Sequence, residues 1–289
     1  MLREDSPLPK GYVIKIFPDM KLVMRENEVL GSGELRDLLL AILKGRAVDG
    51  LTSESGGRGG IFYAYTTGLG KVVIRGYRHG GVFGGVLGDR FLSPERFLNE
   101  LTITERAREA GITRLKPVGI AYRETMLGSR GFWISRRMED AKTLHAYMTI
   151  FPPAREIIEK TVKAVTKMHE NGIGHADLNI QNIMVVTKED GLEVSIIDFD
   201  KAFQKNFLSP EERMRQLRRL DRSLLKWLPE NSAWRRPMTR LRFAAAYCKV
   251  FPEIRPLLKE YIEGFDRYER RYRLGWFLQR LLGGAKKPL

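Results

Sequence analysis

Apolar residues in the first 140 positions alternate mostly with polar ones, a period that predicts β-strands joined by short turns. Helical spacing appears over 33–43, and Ser93-Pro94 is typical of a helix start, with a helix expected from there to Gly111. The run 53–60 is rich in glycine and serine and is expected to be a loop. This part of the chain therefore predicts a mostly antiparallel sheet with a helix inserted. Its strands are expected over 12–17, 21–24, 61–65, 71–75, 118–123 and 131–136.

Helical periodicity dominates after residue 140. Residues 154–171 place Ile158, Val162, Val165 and His169 on one face. A hairpin is expected over 183–187 and 192–197, with helices over 211–227, 238–250 and 254–282. We therefore predict an α+β chain with a protein-kinase-like two-lobed fold. Residues 1–139 would form a β-rich N-terminal lobe and residues 140–289 a mostly helical C-terminal lobe, with a hinge near 137–141.

Composition narrows the class of protein. With 289 residues and 43% hydrophobic content the chain can bury a real core, which argues against wholesale disorder. The single cysteine, Cys248, excludes an internal disulfide and a Cys-rich metal site and indicates a reducing, intracellular compartment. No apolar run is long enough to span a membrane, and the N-terminus lacks the apolar segment of a secretory signal. Any membrane association is expected to be peripheral.

Positive charge is concentrated in the last third of the chain. The net charge is +15, and Glu211–Leu289 holds 20 Lys or Arg against 9 Asp or Glu, which is +11 of that total. Such a field favours an anionic partner, either nucleic acid, an acidic lipid surface or a phosphorylated substrate. Charge alone does not choose among them.

The strongest chemical signal is the loop 175–182, His-Ala-Asp-Leu-Asn-Ile-Gln-Asn, followed by Asp198-Phe199-Asp200. A helix precedes the loop and the predicted hairpin carries Asp198 back toward it. Asp177 could accept a hydroxyl proton or orient that hydroxyl for in-line attack. Asn182 and Asp198 offer the amide and carboxylate oxygens that Mg²⁺ prefers. The pattern indicates phosphoryl transfer from ATP, whereas an isolated His-x-Asp would be only a polar turn.

These segments resemble the protein-kinase-like superfamily and, within it, the lipopolysaccharide core kinases. The likeness is greatest to kinases of 3-deoxy-D-manno-octulosonic acid (Kdo). It covers roughly residues 55–228, and its last three stretches are the most specific. The stretches that carry it are Gly57–Gly59, Val73–Gly81, His175–Asn182, Ile197–Asp200 and Leu217–Leu224.

The resemblance implies an ATP-binding apparatus in the first lobe. Arg75 stands where most kinases have a phosphate-contacting lysine, and Glu100 is its natural partner; Arg78 is a nearby competitor, and a plain surface ion pair is the alternative. The backbone of the hinge, at Arg137 and Glu139, would hold adenine. The loop over the phosphates would be Gly56, Gly57, Arg58, Gly59 and Gly60, although a bare flexible turn explains this glycine run equally well.

Two features bear on the acceptor. Asn179 occupies a position where Ser/Thr protein kinases usually carry lysine, and only a short connection follows Asp198, which argues for a small or lipid-linked hydroxyl over a protein. The helix predicted over 213–226 is dense in arginine, which pairs with phosphate and carboxylate. The candidates for substrate contact are Asn179, Arg218, Arg219 and Arg222, with a solvated basic helix face as the alternative for the arginines.

Aromatic and basic residues interleave on the last predicted helix. This composition suits the face of an anionic bilayer, and packing into the core of the helical lobe is the alternative. The resemblance implies an ATP- and Mg²⁺-dependent kinase of Kdo–lipid A, peripheral on the cytoplasmic face of the inner membrane. Rival functions are a heptose or other small-molecule kinase, a basic nucleic-acid-binding protein, and an inactive scaffold of the kinase fold. No nucleic-acid motif is visible, so nucleic acid is not the expected partner.

Overall fold

The computed structural model divides into two compact units. The first falls within Met1–Arg108 and Arg114–Glu139, and the second within Glu109–Thr113 and Asp140–Leu289. The structure describes residues 8–46, 49–54, 60–77, 91, 93–126, 128–265, 267–270 and 272–273.

A seven-stranded antiparallel sheet forms the first unit, in the order β1-β2-β6-β7-β5-β4-β3. Two helices accompany it, α1 (Ser32–Leu43) and α2 (Glu95–Glu109), and they confirm the helical spacing over 33–43 and the helix expected from Ser93-Pro94 to Gly111. The strands are β1 (Tyr12–Ile16), β2 (Lys21–Arg25), β3 (Thr52–Glu54), β4 (Ile61–Thr66), β5 (Gly70–Gly76), β6 (Pro117–Thr125) and β7 (Gly128–Arg136).

Each face of this sheet has its own core, because successive side chains of a strand point to opposite faces. Leu22 and Met24 of β2 lie in one cluster with Leu39 of α1. Val23, between them in sequence, lies in a second cluster with Phe97 of α2. The period-two pattern of β2 therefore fixes which helix covers which face.

The second unit is mostly helical. Its small sheets have the orders β11-β10-β8 and β12-β9. Helix α4 begins at Arg155 and packs against β11 and α6. Its helices are α3 (Leu144–Ile150), α4 (Arg155–Glu170), α5 (Pro210–Trp227), α6 (Pro237–Val250) and α7 (Arg255–Glu263). Its strands are β8 (Lys142–Thr143), β9 (Ile173–Gly174), β10 (Ile183–Lys188), β11 (Gly191–Ile196) and β12 (Phe203–Gln204).

Local structure differs from the predictions at three places. The predicted loop 53–60 overlaps β3, which pairs with β4. Helix α3 was not predicted. The single helix expected over 254–282 is interrupted: α7 ends at Glu263, Gly264 is a turn, and residues 265, 267–270 and 272–273 are again helical. The part beyond 273 lies outside the described residues.

Among the helices within the described ranges, none combines the length and the apolar composition that crossing a bilayer requires.

Candidate active site

The turn after α4 fixes where the candidate loop begins. Gly172 has a φ of +66°, a left-handed conformation that favours glycine. A Cβ atom at this position would collide with the backbone carbonyl oxygen of Lys205. The amide of Lys205 also donates to the Gly172 carbonyl at 2.9 Å, beside the pairing of β9 with β12. The left-handed turn at Gly172 and its hydrogen bond to Lys205 therefore set the direction in which the backbone continues from α4 to residue 175.

His175 braces the loop from inside. Its Nδ1 accepts from the Asp177 amide at 3.1 Å, and its Nε2 lies 3.0 Å from the Ile197 carbonyl oxygen. Because Nδ1 is an acceptor here, Nε2 carries the proton and donates it to Ile197. Burial lowers the pKa of His175, which keeps the ring neutral in this role. The imidazole supports the loop, and both of its nitrogens are engaged in doing so.

Asn182 completes a closed ring of hydrogen bonds around the loop. Its side-chain Nδ2 donates to the Asp177 carbonyl at 3.0 Å, and its own carbonyl accepts from the Ile197 amide at 2.9 Å. Together with the two bonds of His175, four hydrogen bonds link residues 177, 175, 197 and 182. The loop and the end of the hairpin are thus held as one piece.

Asp198 follows the last residue of this ring. The register of the hairpin pairs Ile183 with Ile196, so Asn182 lies opposite Ile197 and next to Asp198 at the same end. Asp198 has a φ of +63°, an uncommon conformation for a residue with a side chain. Such strain is retained where surrounding contacts impose it, and it is frequent at functional sites. The structure therefore brings Asp177, Asn182 and Asp198 to one end of β10 and β11.

The donor atoms at this end suit a hard divalent cation. Because Asn182 uses its Nδ2 toward Asp177, its Oδ1 is the atom left to act as a ligand. A carboxylate and an amide oxygen are the ligand types that Mg²⁺ takes, usually together with substrate phosphates and water. The residues present fit such an ion.

Asn179 has a structural part within the loop. Its Nδ2 donates to the Asp177 carbonyl at 2.9 Å, and its Oδ1 accepts from the Gln181 amide at 2.8 Å. The Asp177 carbonyl thus accepts from both Asn179 and Asn182. The side chain that was a candidate for substrate contact is engaged in holding the loop.

Two side chains of helix α5 form hydrogen bonds with the backbone of the 175–182 loop, and neither contact was predicted from the sequence. Buried Gln216 accepts from the His175 amide at 2.7 Å and lies 3.3 Å from Nε2 of His169. Two turns later, the Ser223 hydroxyl accepts from the Ile180 amide at 3.1 Å and donates to a carbonyl of its own helix. Their spacing of seven residues puts both on one face of α5. This spacing of polar residues on a largely apolar face was the only available signal.

Arg219, between these two anchors, reaches the candidate catalytic carboxylate. Its Nη1 lies 3.2 Å from Oδ1 of Asp177, and the two side chains are 42% and 62% exposed, respectively. Arg218 instead stacks over the rings of Tyr261 and Tyr268, each at 5.2 Å. Arg222 stacks over Tyr272 at 5.5 Å. Of the three candidate arginines, the structure places Arg219 at the loop and the other two in aromatic packing.

In the first unit, the predicted partner of Arg75 is present. Nη2 of Arg75 lies 2.6 Å from Oε1 of Glu100, which is almost fully buried. Arg75 also stacks on the ring of Tyr77 at 5.2 Å. The pair joins β5 to α2. A buried carboxylate that is ion-paired differs from the plain surface pair that was the alternative.

The remaining nucleotide-site candidates are dispersed through the same unit. Arg137 stacks on Tyr63 at 5.1 Å, and its amide donates to the Lys71 carbonyl. Glu139 lies 3.3 Å from the ammonium of Lys71. Gly60 immediately precedes β4 and has a φ of +63°. Gly56, Gly57, Arg58, Gly59 and the competitor Arg78 lie outside the described residues.

A sheet-rich unit, followed in sequence by a helical unit that carries the loop and hairpin, is the protein-kinase-like fold class. A solved structure of WaaP in complex with acyl carrier protein aligns with 81% of this chain and 95% of that chain, at a TM-score of 0.54 and 19% identity. That likeness concerns the fold. Residues 43–247 match the lipopolysaccharide kinase (Kdo/WaaP) family, and the chain belongs to this family. The predicted fold class and family are thereby confirmed.

Curated relatives agree with this family. The 3-deoxy-D-manno-octulosonic acid kinase of Vibrio cholerae serotype O1 is 29% identical over 157 residues, which are 53% of this chain and 65% of the relative. The enzyme of the same name from Pasteurella multocida is 28% identical over 177 residues, 59% of this chain and 73% of that one. The chain therefore spans about two thirds of the length of the Vibrio cholerae relative.

Proposed function

We propose that this protein transfers the γ-phosphoryl group of ATP to a sugar hydroxyl of the lipopolysaccharide inner core, the 4-OH of Kdo linked to lipid A. The observation that carries the proposal is the hydrogen-bonded ring that holds Asp177 beside Asn182 and Asp198. The family membership and the Kdo kinases among its relatives support this acceptor.

Asp177 is the residue that meets the acceptor. One carboxylate oxygen contacts Arg219, and within the described part of the chain the other makes no hydrogen bond. This second carboxylate oxygen of Asp177 accepts the hydrogen bond of the sugar hydroxyl and thereby orients the hydroxyl oxygen toward the γ-phosphorus. A new bond forms between the hydroxyl oxygen and phosphorus, and the bond from phosphorus to the bridging oxygen of ADP breaks. The hydroxyl proton passes to Asp177. Catalysis of this type rests mainly on positioning.

Asn182 and Asp198 are assigned to Mg²⁺, which would neutralise phosphate charge when bound. Arg75, oriented by Glu100, is assigned to the ATP phosphates together with the loop Gly56–Gly60. The backbone at Arg137–Glu139 is assigned to adenine. A basic second unit suits a polyanionic glycolipid and a peripheral position on the cytoplasmic face of the inner membrane.

An apolar cavity supports a lipid-linked acceptor. It lies in the second unit, has a volume of about 700 Å³ and is lined largely by aliphatic and aromatic side chains of α3 to α7. This volume falls in the range of about 300–1,000 Å³ typical of small-molecule pockets. Ile180 of the loop and Leu220 of α5 both line it, which puts the cavity directly behind the candidate catalytic loop.

The test is Asp177→Asn, which keeps the size and the backbone bonds of residue 177 but removes the carboxylate. Turnover of Kdo–lipid A should be abolished, whereas ATP binding, measured by calorimetry, should remain close to that of the unaltered protein. Asp190→Asn, the same change at the exposed turn of the hairpin, is the matched control and should retain turnover. A variant at 177 with near-normal turnover would exclude the assigned role.

A heptose kinase of the lipopolysaccharide core is the nearest rival, because the family is one of lipopolysaccharide kinases and is not limited to Kdo kinases. Parallel assays with Kdo–lipid A and a heptosylated acceptor separate the two. Salt-dependent binding to nucleic acid without any phosphoryl transfer would favour the nucleic-acid-binding alternative. ATP binding without transfer to either glycolipid would favour an inactive scaffold.

A further inference from the structure

Arg219 is held at a defined point beside the candidate catalytic carboxylate. Gln216, one turn before it, and Ser223, one turn after it, both bond backbone amides of the 175–182 loop. The N-terminus of α5 is also stabilised, because Ser209 and Glu212 form a reciprocal capping box. The helix therefore fixes the position of residue 219 relative to the loop.

The contact between Arg219 and Asp177 uses only part of the guanidinium. Arginine has five N–H donors in a planar fork, and here one terminal nitrogen, Nη1, contacts Oδ1 of Asp177 at 3.2 Å. Within the described part of the chain, Arg219 makes no other hydrogen bond. The edge formed by Nε and Nη2 has the geometry for a bidentate pair with a carboxylate or phosphate.

The ion pair between Arg219 and Asp177 is also weak enough for the guanidinium of Arg219 to bind a second anion. Both side chains are substantially exposed, at 42% and 62%, and exposed pairs stabilise by only about 0–1 kcal/mol. Arg218 and Arg222 do not compete for the same role, because they stack on tyrosine rings from residues beyond α5.

We propose that Arg219 selects the acceptor by binding an oxyanion group of that acceptor while Asp177 holds the hydroxyl to be phosphorylated. This inference rests on the proposed function and sharpens it, since it requires a sugar whose reacting hydroxyl lies close to a carboxylate or phosphate. A neutral sugar could donate its hydroxyl hydrogen bond to Asp177 but would offer no anionic group to the edge of Arg219 formed by Nε and Nη2. Arg219 is thus a determinant of specificity, distinct from the hydroxyl-orienting group.

The experiment compares the unaltered protein with Arg219→Gln and Arg219→Lys on three acceptors. These are Kdo–lipid A, the same glycolipid with its Kdo carboxyl group methyl-esterified, and Kdo–lipid A without its lipid A phosphates. We expect the unaltered protein to lose about 10- to 100-fold in kcat/KM on whichever acceptor lacks the recognised oxyanion. Arg219→Gln should lose a similar factor on intact Kdo–lipid A, mainly through KM, and should no longer distinguish the acceptors. Arg219→Lys, which keeps charge without the fork, should fall between them.

The acceptor that shows the loss identifies the source of the oxyanion. Loss on the methyl ester assigns a carboxylate, and loss on the dephosphorylated acceptor assigns a phosphate; either result supports the proposal. Arg215→Gln, an equal charge change on the exposed face of the same helix, should leave acceptor preference unaltered. Equal rates on all three acceptors, or an Arg219→Gln variant that still distinguishes them, would overturn it. If the unaltered protein phosphorylates none of the three, the proposed function itself fails, which is a different outcome.

Discussion

Gln216→Met tests whether α5 holds the candidate catalytic loop in place. Methionine matches glutamine in length, so the change removes the side-chain hydrogen bonds with little loss of volume. The Gln216 carbonyl oxygen is the acceptor for two buried donors, the His175 amide at 2.7 Å and Nε2 of His169 at 3.3 Å. In the variant both donors lose that acceptor.

The expected cost follows from these two donors. A buried donor that is left without a partner costs about 1–3 kcal/mol. The bond from the His175 amide is short, whereas the one from His169 is long and should contribute less. We therefore expect a total cost in the lower part of the range for two such donors, about 2–4 kcal/mol. Because the His175 amide belongs to the loop, much of this free energy should appear as easier opening of the loop.

Hydrogen exchange measures that opening directly. Peptides that span residues 172–182 should exchange about 30- to 700-fold faster in the variant, the factor that corresponds to 2–4 kcal/mol. Turnover should fall by at least tenfold, because misplacement of a catalytic group by about 1 Å can cost a factor of about 100. Arg215→Met, the same final residue on the exposed neighbouring position, is the matched control and should change neither quantity.

Unchanged exchange of residues 172–182 in Gln216→Met would mean that the contact with α5 does not hold the loop in place. Faster exchange with unaltered turnover would refute a narrower point. It would show that the loop need not be held for the chemistry.

Two further predictions concern stability. Burial lowers the pKa of His169 to about 3, so its ring stays neutral in the folded protein, whereas the unfolded chain takes up a proton below about pH 6.5. The contribution of His169 to stability is fully present above that pH, and urea unfolding should show about 1 kcal/mol of it lost between pH 7.5 and 5.5. His175, whose pKa burial also lowers, should add a loss of the same sign. His169→Gln should remove the share of His169 from that loss, and an unaltered slope would contradict the assignment. Gly172→Ala should be strongly destabilising, because its Cβ would meet the Lys205 carbonyl in a left-handed turn, whereas Gly33→Ala, where nothing lies within 4 Å, should be tolerated. Equal thermal stability of the two glycine variants would count against the turn geometry.

The elements that could be predicted are those whose own sequence carries the signal. The strands around Pro18-Asp19 and the hairpin 183–196 have clear alternation and turn residues, and their bounds lie within one or two positions of the observed ones. Likewise, Asp177, Asn182 and Asp198 could be placed together because a loop and a hairpin in that order leave little choice of geometry.

Other features depend on partners that are distant in sequence. Gln216 bonds a residue 41 positions away, and its seven-residue spacing from Ser223 on a largely apolar face is too weak a signal to identify that partner. The arginines of α5 look equivalent in sequence, but Arg219 meets Asp177 while Arg218 meets tyrosine rings, which only tertiary packing decides. Helix α3 has seven residues, which is too short for its period to stand out. The end of α7 at Glu263 was not predicted, because aromatic residues continue along the chain on both sides of Gly264.

Mass spectrometry of Kdo–lipid A, before and after incubation with the protein, ATP and Mg²⁺, shows whether the protein is a Kdo kinase. We expect a gain of one phosphoryl group, located on Kdo by fragmentation, and no gain with Asp177→Asn. An acceptor of unaltered mass, or an equal gain with the Asp177→Asn variant, would contradict this expectation.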